Sequence, residues 1–227
     1  VVAVREINLD GLPDNQRNWL NDHTVYTHGY GFYAAYGNQR TTEGDPVFFE
    51  GGGRSAIGEY EPRVYFGELS PAYSVVGAVS DAAPREFDYP AGGDGDVAVQ
   101  NTYAGDGGVP IGSTLRRLAY AIKYREANFL LSDAVNSESR ILDHRTPTER
   151  VERVAPWLRL DGNVYPAVIE GRMQWIVDGF TTSANYPNSR LIELAEATSD
   201  SVAQRSNVVT VGTGQVNYVR NAVKATV

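Results

Sequence analysis

The sequence predicts an α+β fold, a mostly antiparallel sheet with a few short helices and long glycine-rich loops. Three observations carry this prediction. Short runs of β-forming residues (RVYFG, YSVVGAV, REFDY, VAVQNTY) are separated by turn residues. A hairpin pattern sits in VYPAVIEGRMQWIVDGF, and helical signals are confined to a few short stretches.

Taken in order, LDGLPDNQRNWLNDH (9–23) reads as a turn and then a short helix. Pro13 suits a first turn, Asp14 its positive end, and Trp19 and Leu20 an apolar side. Residues 25–35 carry β-formers in loose alternation and predict a strand. From Gly37 to Glu61 the glycine-rich, aperiodic chain predicts one long mobile loop. Strands are expected at 63–67, 73–79, 85–89 and 97–103, with AGGDGD (91–96) as a turn. In GDGGVPIGSTLRRLAYAIKY (105–124) a glycine loop leads into a helix. Leu115, Leu118, Ala119 and Ile122 form its apolar stripe, and Arg116, Arg117, Lys123 and Arg125 decorate the rest. Thr146-Pro147-Thr148-Glu149 starts another helix, with threonine as cap, proline in the first turn and Glu149 completing a capping box. Residues 164–180 give two strands joined at Glu170-Gly171-Arg172, a short helix is expected near 190–197, and the end is β-rich.

The chain has 227 residues, enough for a proper core, and its 42% hydrophobic and 21% charged content is that of a globular protein. The 1–227 span is expected to form one domain. A formal net charge of −8 argues against nucleic acid, whose phosphates need a positive face. The same charge disfavours docking on anionic lipid. With no cysteine, disulfides, thiolate metal sites and a cysteine nucleophile are excluded. No apolar run reaches the roughly 20 residues of a membrane span. The first residue is Val1 and the only methionine is Met173, so a piece cut from a longer product is expected.

The strings LDGLPDNQRNWLNDHTVYTHGYG, VYFGE, REFDYP, GDGGVPIGSTLRRL, LLSD, ESRIL, RVERVAPWL, EGRMQWIVDGFTTSANYP and NYVRNAVK occur in this order. Together they resemble uncharacterised protein family (UPF) 0182, large multi-pass membrane proteins of actinobacteria, over about residues 5–224. The resemblance implies a location at the cell membrane, with this chain part of a soluble extracytoplasmic region. It brings no catalytic motif. It also implies a further β segment after NYVRNAVK, so the terminal segment 216–227 is expected as an unprotected edge able to self-associate.

Candidate sites follow from residue types. If 25–31 is a strand, Tyr26, His28 and Tyr30 share one face. Such a face can bind a sugar by stacking, or His28 can act as a base. The plain alternative is a half-buried strand with His28 satisfied by a backbone or carboxylate partner. Asp94 and Asp96, with Asp106, sit in glycine-rich turns that can hold calcium, although the spacing is not that of an EF-hand. Otherwise no cofactor is expected. Gly112, Ser113 and Arg116 open a helix, where free amides attract anions, or they simply connect a strand to a helix. Trp175 and Asp178 lie on opposite faces of a strand and are further contact candidates. Glu68, Glu86 or Asp178 can supply a glycosidase-like carboxylate pair if two of them converge. No G-x-S-x-G elbow supports a serine triad.

The expectation is therefore an extracytoplasmic recognition or interaction module whose partner is an envelope component, another protein, or its own membrane helices. A carboxylate-dependent envelope hydrolase acting on glycan is the alternative. A purely structural domain, packing on its own membrane region or a second copy, is a further one.

Overall fold

The computed structural model describes residues 1–51, 53–79, 82–90, 98–197 and 214–227. The fold is α+β, with short helices and several small antiparallel sheets. Its contacts divide into two compact units, one of Val4–Gly31 with Pro62–Arg145 and one of Val1–Ala3, Phe32–Glu61 and Thr146–Val227.

The unit of Val4–Gly31 and Pro62–Arg145 is organised by the strand Tyr73–Val76, which pairs antiparallel with Arg140–Asp143, itself paired with Val109–Pro110. All four residues of Tyr73–Val76 are buried, so both faces of this strand are covered. Tyr73 and Val75 face an apolar core with Ile111, Phe129, Val135 and Ile141, and Trp19, Tyr120, Ala121 and Tyr124 pack against it. The aromatic rings meet closely: the Tyr73 ring lies 4.3 Å from Tyr124 and 5.2 Å from Phe129. Trp19 donates its indole N–H to the Tyr73 hydroxyl at 2.9 Å, which satisfies its polar edge. Side chains alternate along a strand, so Ser74 projects away from this core, into a buried polar cluster.

Residues 9–25 differ from the single short helix expected. They form 3-10 turns at Leu9–Gly11 and Asp14–Gln16, then a π-helical turn at Asn21–Val25. Asn8 caps the first turn by accepting the Asp10 amide, a local side-chain bond that competes with a regular helix. The strand expected over 25–35 is also broken. Tyr26 closes the π turn, Gly29–Tyr30 pairs with Arg63–Val64, and a new strand begins at Phe32. Gly29 permits this because a Cβ there would lie 2.0 Å from the Arg5 carbonyl oxygen. The strand Glu86–Pro90 pairs with Ala98–Asn101, with an irregular register between Phe87 and Tyr89. Thr114–Tyr124 is an α-helix capped by the Ser113 hydroxyl and ended by Arg125 in the left-handed conformation, and Asn128–Leu131 follows.

In the other unit, the stretch expected as one long loop contains a hairpin of Phe32–Arg40 and Pro46–Glu50. Edge-to-face contacts such as Tyr33 on Phe48, at 6.1 Å, supply the cross-strand packing that the irregular hydrophobic pattern did not reveal. The helix Pro147–Val154 starts where the sequence places it. Thr146 makes no side-chain cap bond, so its half of the expected capping box is missing, and Glu149 reaches Arg153 at 3.4 Å. The hairpin Tyr165–Ile169 and Arg172–Ser183 turns at Glu170 and Gly171, both with positive φ (52° and 73°), as a two-residue turn of this kind requires. The last strand, Tyr218–Thr226, lies along Arg172–Ser183. Its other side carries no strand among the described residues. The short helix expected near 190–197 is confined to Leu194–Ala197.

Candidate functional site

Beneath the Ser74 face of the strand Tyr73–Val76 lies a buried polar cluster. It is built from Thr27 and His28 after the π turn, from Glu86 and Asp88 on one strand, and from Arg63, Tyr65 and Arg145. Glu86 and Asp88 are two positions apart, so both point inward. Phe87 and Tyr89 point the other way, against Tyr26 and Tyr30 at 5.8 and 4.7 Å between ring centroids.

Each polar atom has an assigned partner. Glu86 accepts from the Tyr65 hydroxyl at 2.7 Å and the Thr27 hydroxyl at 3.1 Å on one oxygen, and from the Gly77 and Tyr103 amides at 3.1 and 3.0 Å on the other. Asp88 accepts from His28 Nε2 at 2.9 Å and from Arg63 through two nitrogens at 3.1 and 2.7 Å, a forked ion pair. Arg145 donates to the carbonyls of Tyr65 at 2.8 Å and Thr27 at 2.5 Å, and to the Ser74 hydroxyl at 2.6 Å. One guanidinium thus ties three chain segments together.

Electrostatics follow from burial. His28 is 1% exposed, and desolvation pulls its imidazole below the usual value, opposed by the Asp88 hydrogen bond and the charge of Glu86. A neutral ring donating from Nε2 to Asp88 leaves Nδ1 as an acceptor 2.9 Å from the Thr27 oxygen, whose single proton it shares with Glu86. Arg145 is also 1% exposed, and burial lowers it to about 9, so it stays charged at neutral pH. Desolvation first, then the charge of Glu86, pushes the Tyr65 phenol up. His23, stacked on Tyr73 at 4.0 Å, is lowered mainly by burial as well.

The cluster borders a cavity of about 140 Å³ lined by Arg5, Ile7, Tyr30, Phe87 and Tyr89 with the edges of His28 and Asp88. Ordinary ligand pockets run to roughly 300–1,000 Å³. In the other unit a half-open groove of about 390 Å³ is lined by Val2, Tyr33, Tyr36, Arg40, Pro46 and Phe48 among others. No group of three or more His, Asp and Glu able to hold a metal occurs among the described residues.

The sequence candidates are therefore distributed over different places. Tyr26, His28 and Tyr30 do not share a strand face: His28 turns into the cluster, and the two tyrosines pack on Phe87 and Tyr89. Trp175 is 4% exposed and belongs to the core of the other unit, so it offers no contact surface. Asp178 lies half-buried on the same strand as Trp175, in a different unit from Glu86. Gly112, Ser113 and Arg116 do open a helix, but Ser113 caps it and Arg116 donates to the Pro110 carbonyl at 3.0 Å. Gly112 is needed for close packing, because a Cβ there would meet the Ser137 carbonyl oxygen at 2.1 Å. Asp94 and Asp96 lie outside the described residues.

Thr27, Arg63, Asp88 and Arg145 were not singled out in the sequence. The pair Glu86 and Asp88 did carry a signal, two acids alternating with two aromatics in EFDYP. Nothing local marks Arg145, which acts on residues up to 118 positions away.

A second feature is on the outside. The stripe of Leu115, Leu118 and Ile122 is 77%, 43% and 69% exposed, while Tyr120, Ala121 and Tyr124 face the core. The apolar stripe that the sequence identifies thus points outward, and the helix packs through its tyrosines.

The fold and site define an α+β chain with a hydrogen-bonded buried polar cluster and an outward apolar helix face, and no solved structure matches it. The chain belongs to the uncharacterised protein family UPF0182, whose sequence profile it matches over residues 1–227. It is 52% identical to a UPF0182 protein of Arthrobacter sp. (strain FB24) over 100% of its length and 23% of the relative's. For the UPF0182 protein of Bifidobacterium adolescentis the values are 53%, 100% and 21%. For UPF0182 protein TW644 of Tropheryma whipplei they are 50%, 100% and 23%. The chain thus spans a little over a fifth of the length of the relatives it matches.

Proposed function

We propose that this chain is an interaction module of a longer envelope protein, on its extracytoplasmic side, and that it works by docking. The observation that carries this reading is the outward stripe of Leu115, Leu118 and Ile122 on a helix already anchored through its opposite side. Aliphatic side chains held in water on a fixed helix mark an interaction surface when they are contiguous. At roughly 100° per residue, these three and Ala119 fall within an arc of about 100°. The small share of the relatives' length that the chain spans supports a part that meets other parts. The extracytoplasmic placement rests on the family resemblance.

The buried cluster supports docking over carboxylate hydrolysis. Glu86 accepts four hydrogen bonds and Asp88 holds both His28 and Arg63, so neither acid is poised for a substrate. In this reading the cluster is a frame that fixes the strands behind the docking helix.

The experiment is photo-crosslinking in actinobacterial cells, with a photoreactive residue at Ile122 and a control at the exposed turn residue Glu138. Reproducible adducts to one lipid or protein species from position 122 and none from position 138 are expected. Equal, weak labelling from both positions contradicts a docking role.

A further inference from the structure

We infer that the helix Thr114–Tyr124 docks on an anionic lipid surface, lying along it with Leu115, Leu118 and Ile122 in the apolar boundary. The inference rests on the docking reading above and names its partner by chemistry. The helix carries Arg116, Arg117 and Lys123 and no acid, and Arg125 follows directly. The chain around it has a net charge of −8, so this concentration of cations runs against the composition.

The partners of these cations sharpen the point. Lys123 is answered by Asp143 at 2.6 Å. Arg116 donates to the Pro110 carbonyl, and Arg117 donates to the carbonyls of Ile111 and Gly112. Neither these two nor Arg125 has a carboxylate at ion-pair distance among the described residues. The guanidiniums of Arg116 and Arg117 are held in place by backbone acceptors with their charge uncompensated. At roughly 100° per residue, Arg116 and Lys123 border the outward stripe on one side. Leu130 and Leu131, also exposed, follow on the next short helix.

A stripe of aliphatic residues beside cations, on a helix with a strong polar–apolar division, is the pattern of a helix in the plane of a membrane interface. A protein groove would take the stripe equally well, but it gives no reason for the exposed Arg116 and Arg125, which no carboxylate answers among the described residues. An anionic surface does, because each basic residue held near it adds roughly fivefold to binding. The net negative charge of the whole chain does not prevent this, since charges beyond the roughly 10 Å Debye length at 0.1 M salt are screened.

The test is co-sedimentation of the chain with vesicles of phosphatidylcholine alone and of phosphatidylcholine with one-third phosphatidylglycerol. Binding to the anionic vesicles is expected to exceed that to the neutral ones by about tenfold or more and to fall with salt. Leu115→Glu/Ile122→Glu removes it. Arg116→Gln/Arg125→Gln weakens it by about tenfold or more and flattens the salt dependence. Leu115→Ala/Ile122→Ala, which adds no charge, also weakens it and guards against a folding defect in the glutamate pair.

Equal binding to both vesicle types overturns the anionic claim. Absence of binding to either overturns the lipid claim. If Ile122 still crosslinks to one protein in cells, docking survives with a protein partner. If it does not, docking fails too.

Discussion

Replacing Arg145 by methionine tests the framing role of the buried cluster. The guanidinium supplies the donors for two backbone carbonyls, of Tyr65 and Thr27, and for the Ser74 hydroxyl. A thioether fills similar space and donates nothing, so three buried acceptors lose a partner at about 1–3 kcal/mol each. Removing the buried charge itself returns part of this, since a desolvated cation is costly. The net loss is therefore about 3 kcal/mol, within a range of about 2–5. For a chain of this size that corresponds to a fall in Tm of roughly 6–12 °C. Urea unfolding followed by circular dichroism gives the free energy, and a thermal scan gives the shift. Arg145→Lys, which keeps one charged donor, is expected between the two. A loss below about 1 kcal/mol for Arg145→Met would refute the reasoning, since it would mean the acceptors find other partners or the cluster bears little of the fold.

Further outcomes follow from the same geometry. His28 and His23 are held below 6.5 by burial, so between their folded values and 6.5 the unfolded chain binds more protons than the folded one. Stability should rise with pH through that window, by up to about 1.4 kcal/mol per pH unit for each histidine, and fall as pH drops from 6.5. Glu6 and Glu68, raised mainly by burial, act in the opposite sense above 4.5. The measurement is therefore the difference in pH dependence between the wild type and His28→Gln/His23→Gln, and an unchanged slope contradicts the assignment. Gly112→Ala would drive a methyl into the Ser137 carbonyl and should cost at least about 2 kcal/mol in urea unfolding. Trp175→Ala should cost about 3–5 kcal/mol by the same assay, as a core residue, where a surface contact residue would cost little.

The parts of this fold legible in the sequence are those written in local chemistry. Glu170-Gly171 announces its hairpin, Ser113 its helix cap, and Thr146-Pro147 the start of a helix. What failed to show has a nonlocal cause. The break before Phe32 comes with the close approach of Arg5 to Gly29, which alternation cannot reveal, and no residue pattern marks the π turn at Asn21–Val25. The hairpin of Phe32–Arg40 and Pro46–Glu50 is held by aromatic pairs across strands, while glycine content suggested only a loop.

The site was half legible for the same reason. His28 satisfied by a carboxylate was the plain reading of its strand, and that carboxylate is Asp88. Its burial and the forked pair with Arg63 depend on a partner strand some 60 positions away. The stripe of Leu115, Leu118 and Ile122 was visible as a periodicity. Which way it faces was not, because Tyr120 and Tyr124 form a second apolar side and only the tertiary structure decides between them.

The central claim is that the outward stripe serves contact with something else and not the fold itself, and thermal unfolding of Leu115→Glu/Ile122→Glu tests it most directly. Surface substitutions usually stay within about 0.5 kcal/mol each, and roughly 2–4 °C per kcal/mol applies at this size. The account predicts a Tm within about 4 °C of the wild type. A fall of about 8 °C or more would contradict it, because two glutamates would then be breaking a core that the stripe helps to build.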